Sequence, residues 1–230
     1  LAQNIDALFF SRNAKLGDEF NRLFNSIFDH AEECMDIIRI LGKRHAGYTR
    51  QELAEKAKMI PNGGFTKMLK ALIGSDFLIK YVPFGSSNRE ERYKLKDSFC
   101  WFWLHFKENK NIKQEDYWQH HLKESELTAW RGIAFEEVCL QHIRQIKQAL
   151  QIGGISSMES AYIVRGEKDT EGLQIDLIID RSDDVANLCE MKYSKAPYTI
   201  TSSYATHLIQ RKEAMEALFC DKTFLLTYIG

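Results

Sequence analysis

The sequence predicts an α+β protein in two modules, the first mainly helical and the second running helix, strand, strand, strand, helix, strand. Three observations predict it. Apolar residues in the first half (Leu23, Phe24, Ile27, Phe28, Met35, Ile38, Leu41) recur at three- and four-residue steps, as amphipathic helices require. In the second half, short runs such as Gln174-Ile175-Asp176-Leu177-Ile178-Ile179-Asp180 alternate imperfectly and lie between two helical stretches. A polar stretch rich in Lys, Asn, Gln and Glu, residues 107–125, separates the halves, and 230 residues suffice for two modest cores.

Composition narrows the class. With 44% apolar and 27% charged residues the chain reads as soluble and globular, and no stretch approaches the ~18 uninterrupted apolar residues of a membrane span. The first residues lack the basic, apolar and small-residue segments of a secretion signal, so a cytoplasmic location is expected. The start at Leu1, with Ile5, Leu8 and Phe9 at helical spacing, reads as a cut inside a larger protein. Cys34, Cys100, Cys139, Cys189 and Cys220 are scattered, without a C-x-x-C pair, and are expected to be reduced thiols, mostly in the core. The formal charge of −1 hides an asymmetry: residues 42–98 hold 12 Lys or Arg against 6 Asp or Glu, a balance of +6 that points modestly to a polyanionic partner.

Within the first module, residues 20–41 are predicted as one amphipathic helix. A second opens at Thr49-Arg50-Gln51-Glu52, where Thr49 caps the backbone and Glu52 reaches back, and ends near Ile60-Pro61. Asn62-Gly63-Gly64 turns into a third helix, 65–73, closed by Gly74-Ser75. Residues 77–82 and 92–95, joined by Gly85-Ser86-Ser87-Asn88, read as a two-stranded ribbon. Three helices and a ribbon make a winged helix. The aromatic run 99–106 is expected to pack one module on the other. Adjacent His120 and His121 read as solvated, and Met59 and Met68 as core residues.

The second module reads as helix 130–150, strands 155–164, 173–181 and 186–193, helix 204–218 and strand 223–228. Strand alternation puts Ile175, Leu177 and Ile179 on one face and Gln174, Asp176 and Ile178 on the other; Glu190 and Lys192 likewise share a face. If Ser182-Asp183-Asp184 is a three-residue hairpin loop, paired residues sum to 366 and Asp176 faces Glu190. Like charges so placed repel unless a cation sits between them, and a divalent metal supplies one. A one-residue slip would put Asp176 opposite Met191.

The blocks Trp130-Arg131-Gly132-Ile133-Ala134-Phe135-Glu136, Gln174-Ile175-Asp176-Leu177-Ile178-Ile179-Asp180-Arg181 and Leu188-Cys189-Glu190-Met191-Lys192 resemble the C-terminal domain of bacterial and archaeal AAA+ ATPases labelled DUF234, regarded as a divergent PD-(D/E)xK nuclease. Leu1-Ala2-Gln3-Asn4-Ile5-Asp6 resembles the end of the ATPase module, and Pro83-Phe84-Gly85 its winged-helix segment. The resemblance implies an ATPase or lid remnant at 1–20, a winged helix at 21–106, a linker at 107–129 and a restriction-endonuclease-like αβββαβ domain at 130–230. It also implies a catalytic set: Glu136 as the helix acid, Asp176 and Glu190 (with Glu136) as ligands of Mg²⁺ or Mn²⁺, Lys192 to orient or activate water, and Gln210 beside the site. Ile175 stands where that superfamily has proline, and Glu137 adjoins Glu136. No G-x-x-x-x-G-K-[ST] occurs, since Gly42-Lys43 is followed by Arg44, so ATP would be bound only by a missing N-terminal domain.

DNA is the expected partner, with Lys67 and Lys70 of the third helix and Arg89 and Arg92 of the wing on phosphates. The missing ATPase domain is a second partner, an oligomer is compatible with the reading, and no membrane is involved. The rival is a non-catalytic module in which the same domains bind DNA or a protein and the ATPase does the only chemistry.

Overall fold

A computed structural model describes residues 1–108, 115–120, 124–164 and 172–230. The stretch read as a linker falls partly outside the described residues, and His121 wholly so. The fold is mixed α+β, divided into two compact units: Leu1–Tyr81 with Glu91–Ala129, and Val82–Glu90 with Trp130–Gly230. No described helix is long and apolar enough to cross a membrane.

The first unit opens with α1 (Ala2–Ile5) and a π-helical turn (Asp6–Phe10), then α2 (Glu19–Ile27), α3 (Ala31–Leu41), β1 (Tyr48–Thr49), α4 (Arg50–Ala57), α5 (Gly63–Gly74), β2 (Leu78–Tyr81), β3 (Arg92–Leu95), α6 (Ser98–Phe106) and α7 (Tyr117–His120). The helix expected over 20–41 is two helices. Phe28 is extended and ends α2, its ring held against Phe24 and Phe77 at 5.5 and 5.8 Å. The Thr49–Glu52 capping box is formed, and Asn62 Oδ1 caps α5 by accepting from the Phe65 amide. Lys58, at φ 55°, stops α4 before Pro61. The ribbon gains a third strand, in the order β1-β3-β2.

The aromatic run was expected to bridge the modules, but its ring partners build the first unit's own core. Trp103 stacks on Phe20 at 5.7 Å and 8°, Phe102 packs on Phe9, and Phe106 meets Trp118 edge-on. Helix α6 buries Cys100, Trp101, Trp103 and Phe106 and leaves Ser98 and His105 exposed.

The second unit continues with α8 (Glu124–Gln141), which carries the division between Ala129 and Trp130, then α9 (Ile143–Ala149), β4 (Ser157–Val164), β5 (Leu173–Arg181), β6 (Val185–Met191), α10 (Ser202–Leu218) and β7 (Thr223–Ile229). One sheet has the order β4-β5-β6-β7, with β6 and β7 parallel and the other pairs antiparallel. The β5–β6 hairpin has the expected register, since Leu177 pairs with Cys189 and Asp180 with Ala186, each summing to 366.

The expected alternation within β5 does not hold. Ser160 pairs with Ile178 but Tyr162 with Ile175, so two residues of β5, Asp176 and Leu177, lie opposite the single Ala161. Such a bulge rotates the strand. Ile175 consequently joins Ile178, Leu188, Met215 and Phe224 in one apolar cluster, whereas Leu177 and Ile179 join Cys139, Cys189 and Met191 in another.

Residues 82–90, expected to be a wing, belong to the second unit. The Phe84 amide donates to the Ala161 carbonyl at 2.8 Å, and its ring meets Phe219 and Phe224 edge-on at 4.9 and 6.0 Å. Gly85 has φ +73°, and a Cβ there would stand 2.5 Å from the Phe219 ring, so glycine is required on both counts. Because Phe84 is buried in the cluster, Phe84→Ala should lower the unfolding free energy by about 3 to 5 kcal/mol. Urea denaturation checks this, and a loss below about 1 kcal/mol would mean that residues 82–90 are not part of the core.

Candidate functional site

Two groups of side chains gather where β5 and β6 meet the helices of the second unit. In the first, Glu136 of α8 and Asp176 at the bulge have carboxylate oxygens within 4.8 Å of each other, both residues half-buried. Gln174 Nε2 donates to Asp176 Oδ1 at 2.7 Å. Of the neighbouring acids on α8, Glu136 is the one that reaches Asp176, while Glu137 is 95% buried. Carboxylate oxygens at this separation make a donor set that suits a hard divalent cation.

The second group surrounds Glu190. Its carboxylate accepts from the Tyr204 hydroxyl and from Arg211 Nη1 at 3.0 Å, and Lys192 Nζ lies 3.4 Å away. Tyr204 and Arg211 come from α10, so Glu190 is held from that helix, whereas Asp176 is held by Gln174 of its own strand and lies beside Glu136 of α8. Burial, then the hydrogen bond and negative charge of Glu190, raise the Tyr204 phenol well above its ordinary range. Burial and the nearby Tyr198 and Glu190 push Tyr228 up as well.

Lys192 remains half-exposed, its ammonium 5.6 Å from the centre of the Tyr204 ring. Gln210 is exposed on α10, and its neighbour Arg211 takes the place beside Glu190. Sequence reading missed Tyr204 and Arg211. The signal was present as a helical stripe, Tyr204-Leu208-Arg211-Met215, whose apolar members Leu208 and Met215 are buried.

The four expected phosphate contacts are distributed differently. Lys67 and Lys70 lie exposed on α5, three residues apart. Arg89 is exposed in the second unit, and Arg92 belongs to the first, where its guanidinium stands 3.6 Å from the capping-box acid Glu52. Four cysteines are buried free thiols and Cys220 an exposed one. Burial raises Cys139 to about 11 and Cys189 to about 12.

No family model, curated protein or solved structure matches the chain.

The raised Tyr204 phenol fixes a sign for the pH dependence of stability. It ionises near 10.0 when unfolded and higher when folded, so its contribution is complete below about pH 10 and is lost as the pH rises through the folded value. In denaturant unfolding between about pH 8 and 11, Tyr204→Phe should therefore show a shallower alkaline decline than the parent. Parallel declines would mean that folding does not raise the Tyr204 phenol.

Proposed function

We propose that the second unit is a divalent-metal-dependent nuclease-like domain of the PD-(D/E)xK kind and the first a DNA-binding winged helix, together the C-terminal part of an AAA+ ATPase that acts on nucleic acid. The observation that carries the metal reading is the approach of Glu136 and Asp176. Oxygens sharing one Mg²⁺ stand about 2.1 Å from it, hence at most about 4.2 Å apart, and a pair within 4.8 Å needs only a small adjustment. The mixed sheet, with Asp176 and Glu190 on adjacent antiparallel strands and Lys192 just past the end of β6, supports the same reading.

In this scheme Asp176 and Glu136 hold Mg²⁺ or Mn²⁺, with Gln174 fixing the Asp176 carboxylate. When bound, the metal would lower the pKa of its water and offset charge building on the phosphate. Lys192 presents a half-exposed ammonium that can meet the same phosphate. Arg211 and Tyr204 fix the orientation of Glu190.

One observation favours a second reading. Glu190 already has three partners, two of them cationic, and a carboxylate so satisfied gains less from a metal. That arrangement suits a non-catalytic domain of the same descent, which binds DNA or a protein.

Manganese titration followed by electron paramagnetic resonance, alongside cleavage assays on DNA and RNA, separates the two. The nuclease reading expects saturable Mn²⁺ binding that falls at least tenfold in Asp176→Ala and Glu136→Ala. Cleavage should require the metal and vanish in Asp176→Ala and Glu190→Ala. Lys192→Ala should keep the metal but cut about 10² to 10³ times more slowly. Equal Mn²⁺ binding by parent and Asp176→Ala, with no strand cut, awards the case to the non-catalytic domain.

For the first unit, the exposed α5 lysines predict a salt-dependent affinity for duplex DNA. Removing both, as Lys67→Ala with Lys70→Ala, should reduce the slope of log affinity against log salt by about 2. An unchanged slope assigns α5 to contacts with protein instead.

A further inference from the structure

The stretch 191–212, which links β6 to α10 and forms the helix's first turns, has a composition found nowhere else in the chain. It holds four Lys or Arg (Lys192, Lys195, Arg211, Lys212), three tyrosines and six Ser or Thr, and no acid. At the chain's overall frequency of 32 acids in 230 residues, about three would be expected. Its borders are Glu190, bound to Arg211 and Lys192, and Glu213, and Lys212 pairs with Glu216 at 2.6 Å, so the four cations outnumber these three carboxylates by one.

Aromatic rings stand among these cations. Tyr198, 42% exposed, stacks on Tyr228 at 5.5 Å and 16°, and meets Tyr204 edge-on at 6.3 Å. Tyr193, 41% exposed, leans edge-on against Phe135 at 6.2 Å. Both rings are braced from below yet open to solvent, so a ligand stacking on them orders little that is not already ordered. Beside them is a pocket of about 280 Å³ whose lining includes Leu188, Ile200, Leu208, Leu226, Glu190 and Tyr228. The Tyr228 hydroxyl is buried and has no hydrogen-bond partner.

We propose that this surface binds single-stranded nucleic acid, with unpaired bases stacked on Tyr198 and Tyr193 and the phosphate backbone met by Lys192, while Arg211 stays on Glu190. Cations interleaved with exposed aromatic rings are the chemistry that recognises a flexible strand, because every base has a face to stack while the backbone supplies the charge. A duplex offers the charge alone, its bases being stacked on one another. The inference rests on the nucleic-acid reading of the second unit but requires neither cleavage nor a metal, and it names the strandedness of the substrate.

Fluorescence anisotropy of the 230-residue chain with labelled oligothymidylate and oligouridylate tests it, in EDTA and with excess unlabelled duplex DNA to occupy any duplex-binding surface. Both oligomers should bind, and the stronger of the two identifies DNA or RNA as the natural strand. Tyr198→Ala should weaken binding about tenfold or more, and Tyr198→Phe should restore it to within about twofold. Lys192→Ala should reduce the salt slope by about 1. Tyr193→Ala, on a different support, supplies a second reading should Tyr198→Ala lose its native circular dichroism. Absence of binding to either oligomer, parental affinity in both tyrosine variants, or equal competition by polyglutamate would overturn the proposal, the last by reducing it to charge alone. Manganese binding, measured separately, keeps the two readings distinguishable. Strand binding without Mn²⁺ binding sinks the metal site and leaves this surface standing, and the reverse result sinks this surface only.

Discussion

Strand β5 carries one residue more than β4 opposite Ala161, and the second unit is arranged around that excess. In a regular strand Asp176 would share a face with Ile178, and its carboxylate would enter the apolar cluster of Leu188, Met215 and Phe224. Burying an uncompensated carboxylate there would cost several kcal/mol. The bulge sends Ile175 into that cluster instead and leaves Asp176 within reach of Glu136 on α8. The strand opposite the bulge is also held from elsewhere, because the Ala161 carbonyl accepts from the Phe84 amide and the Phe84 ring fills the cluster that Ile175 has joined.

The charges near the sheet are balanced in two separate groups. Glu136 and Asp176 bring their carboxylate oxygens within 4.8 Å of each other. Glu190, two residues before Lys192 and twenty-one before Arg211, is instead compensated by the protein's own cations. Arg211 and Tyr204 reach it because they lie seven residues apart on α10, two turns along one face, with Leu208 and Met215 anchoring the helix between and beyond them.

Local chemistry made much of this legible in the sequence. The Thr49–Glu52 box and the Asn62 cap depend on residues three apart, and the β5–β6 register depends on a three-residue loop; both are short-range features. What failed depends on distant partners. The break at Phe28 follows from ring contacts with Phe77, and the bulge at Asp176 from pairing with β4 and the seating of Phe84, none of which the local pattern of β5 or α2 contains. The aromatic run 99–106 gave its burial away by composition but not its partners, which lie as far off as Phe9 and Trp118. In the candidate site Asp176 and Glu190 were named from strand alternation and register and Glu136 only from the family resemblance, whereas Arg211 was hidden behind Gln210 because a one-residue choice on a helix turns the side chain by about 100°.

Within the Glu190 group the two cations are not equivalent. Glu190 keeps Arg211 at 3.0 Å and the Tyr204 hydroxyl whether or not Lys192 stays, so withdrawal of the ammonium strips the carboxylate of only one contact of three. That contact is half-exposed, and pairs of this kind contribute about 0 to 1 kcal/mol. A phosphate arriving at the surface can therefore draw Lys192 away at small cost, whereas drawing Arg211 away would leave a mostly buried carboxylate short of its principal cation. The same asymmetry assigns the two cations different duties: Arg211 holds the strand and helix together through Glu190, and Lys192 is the one free to answer a ligand.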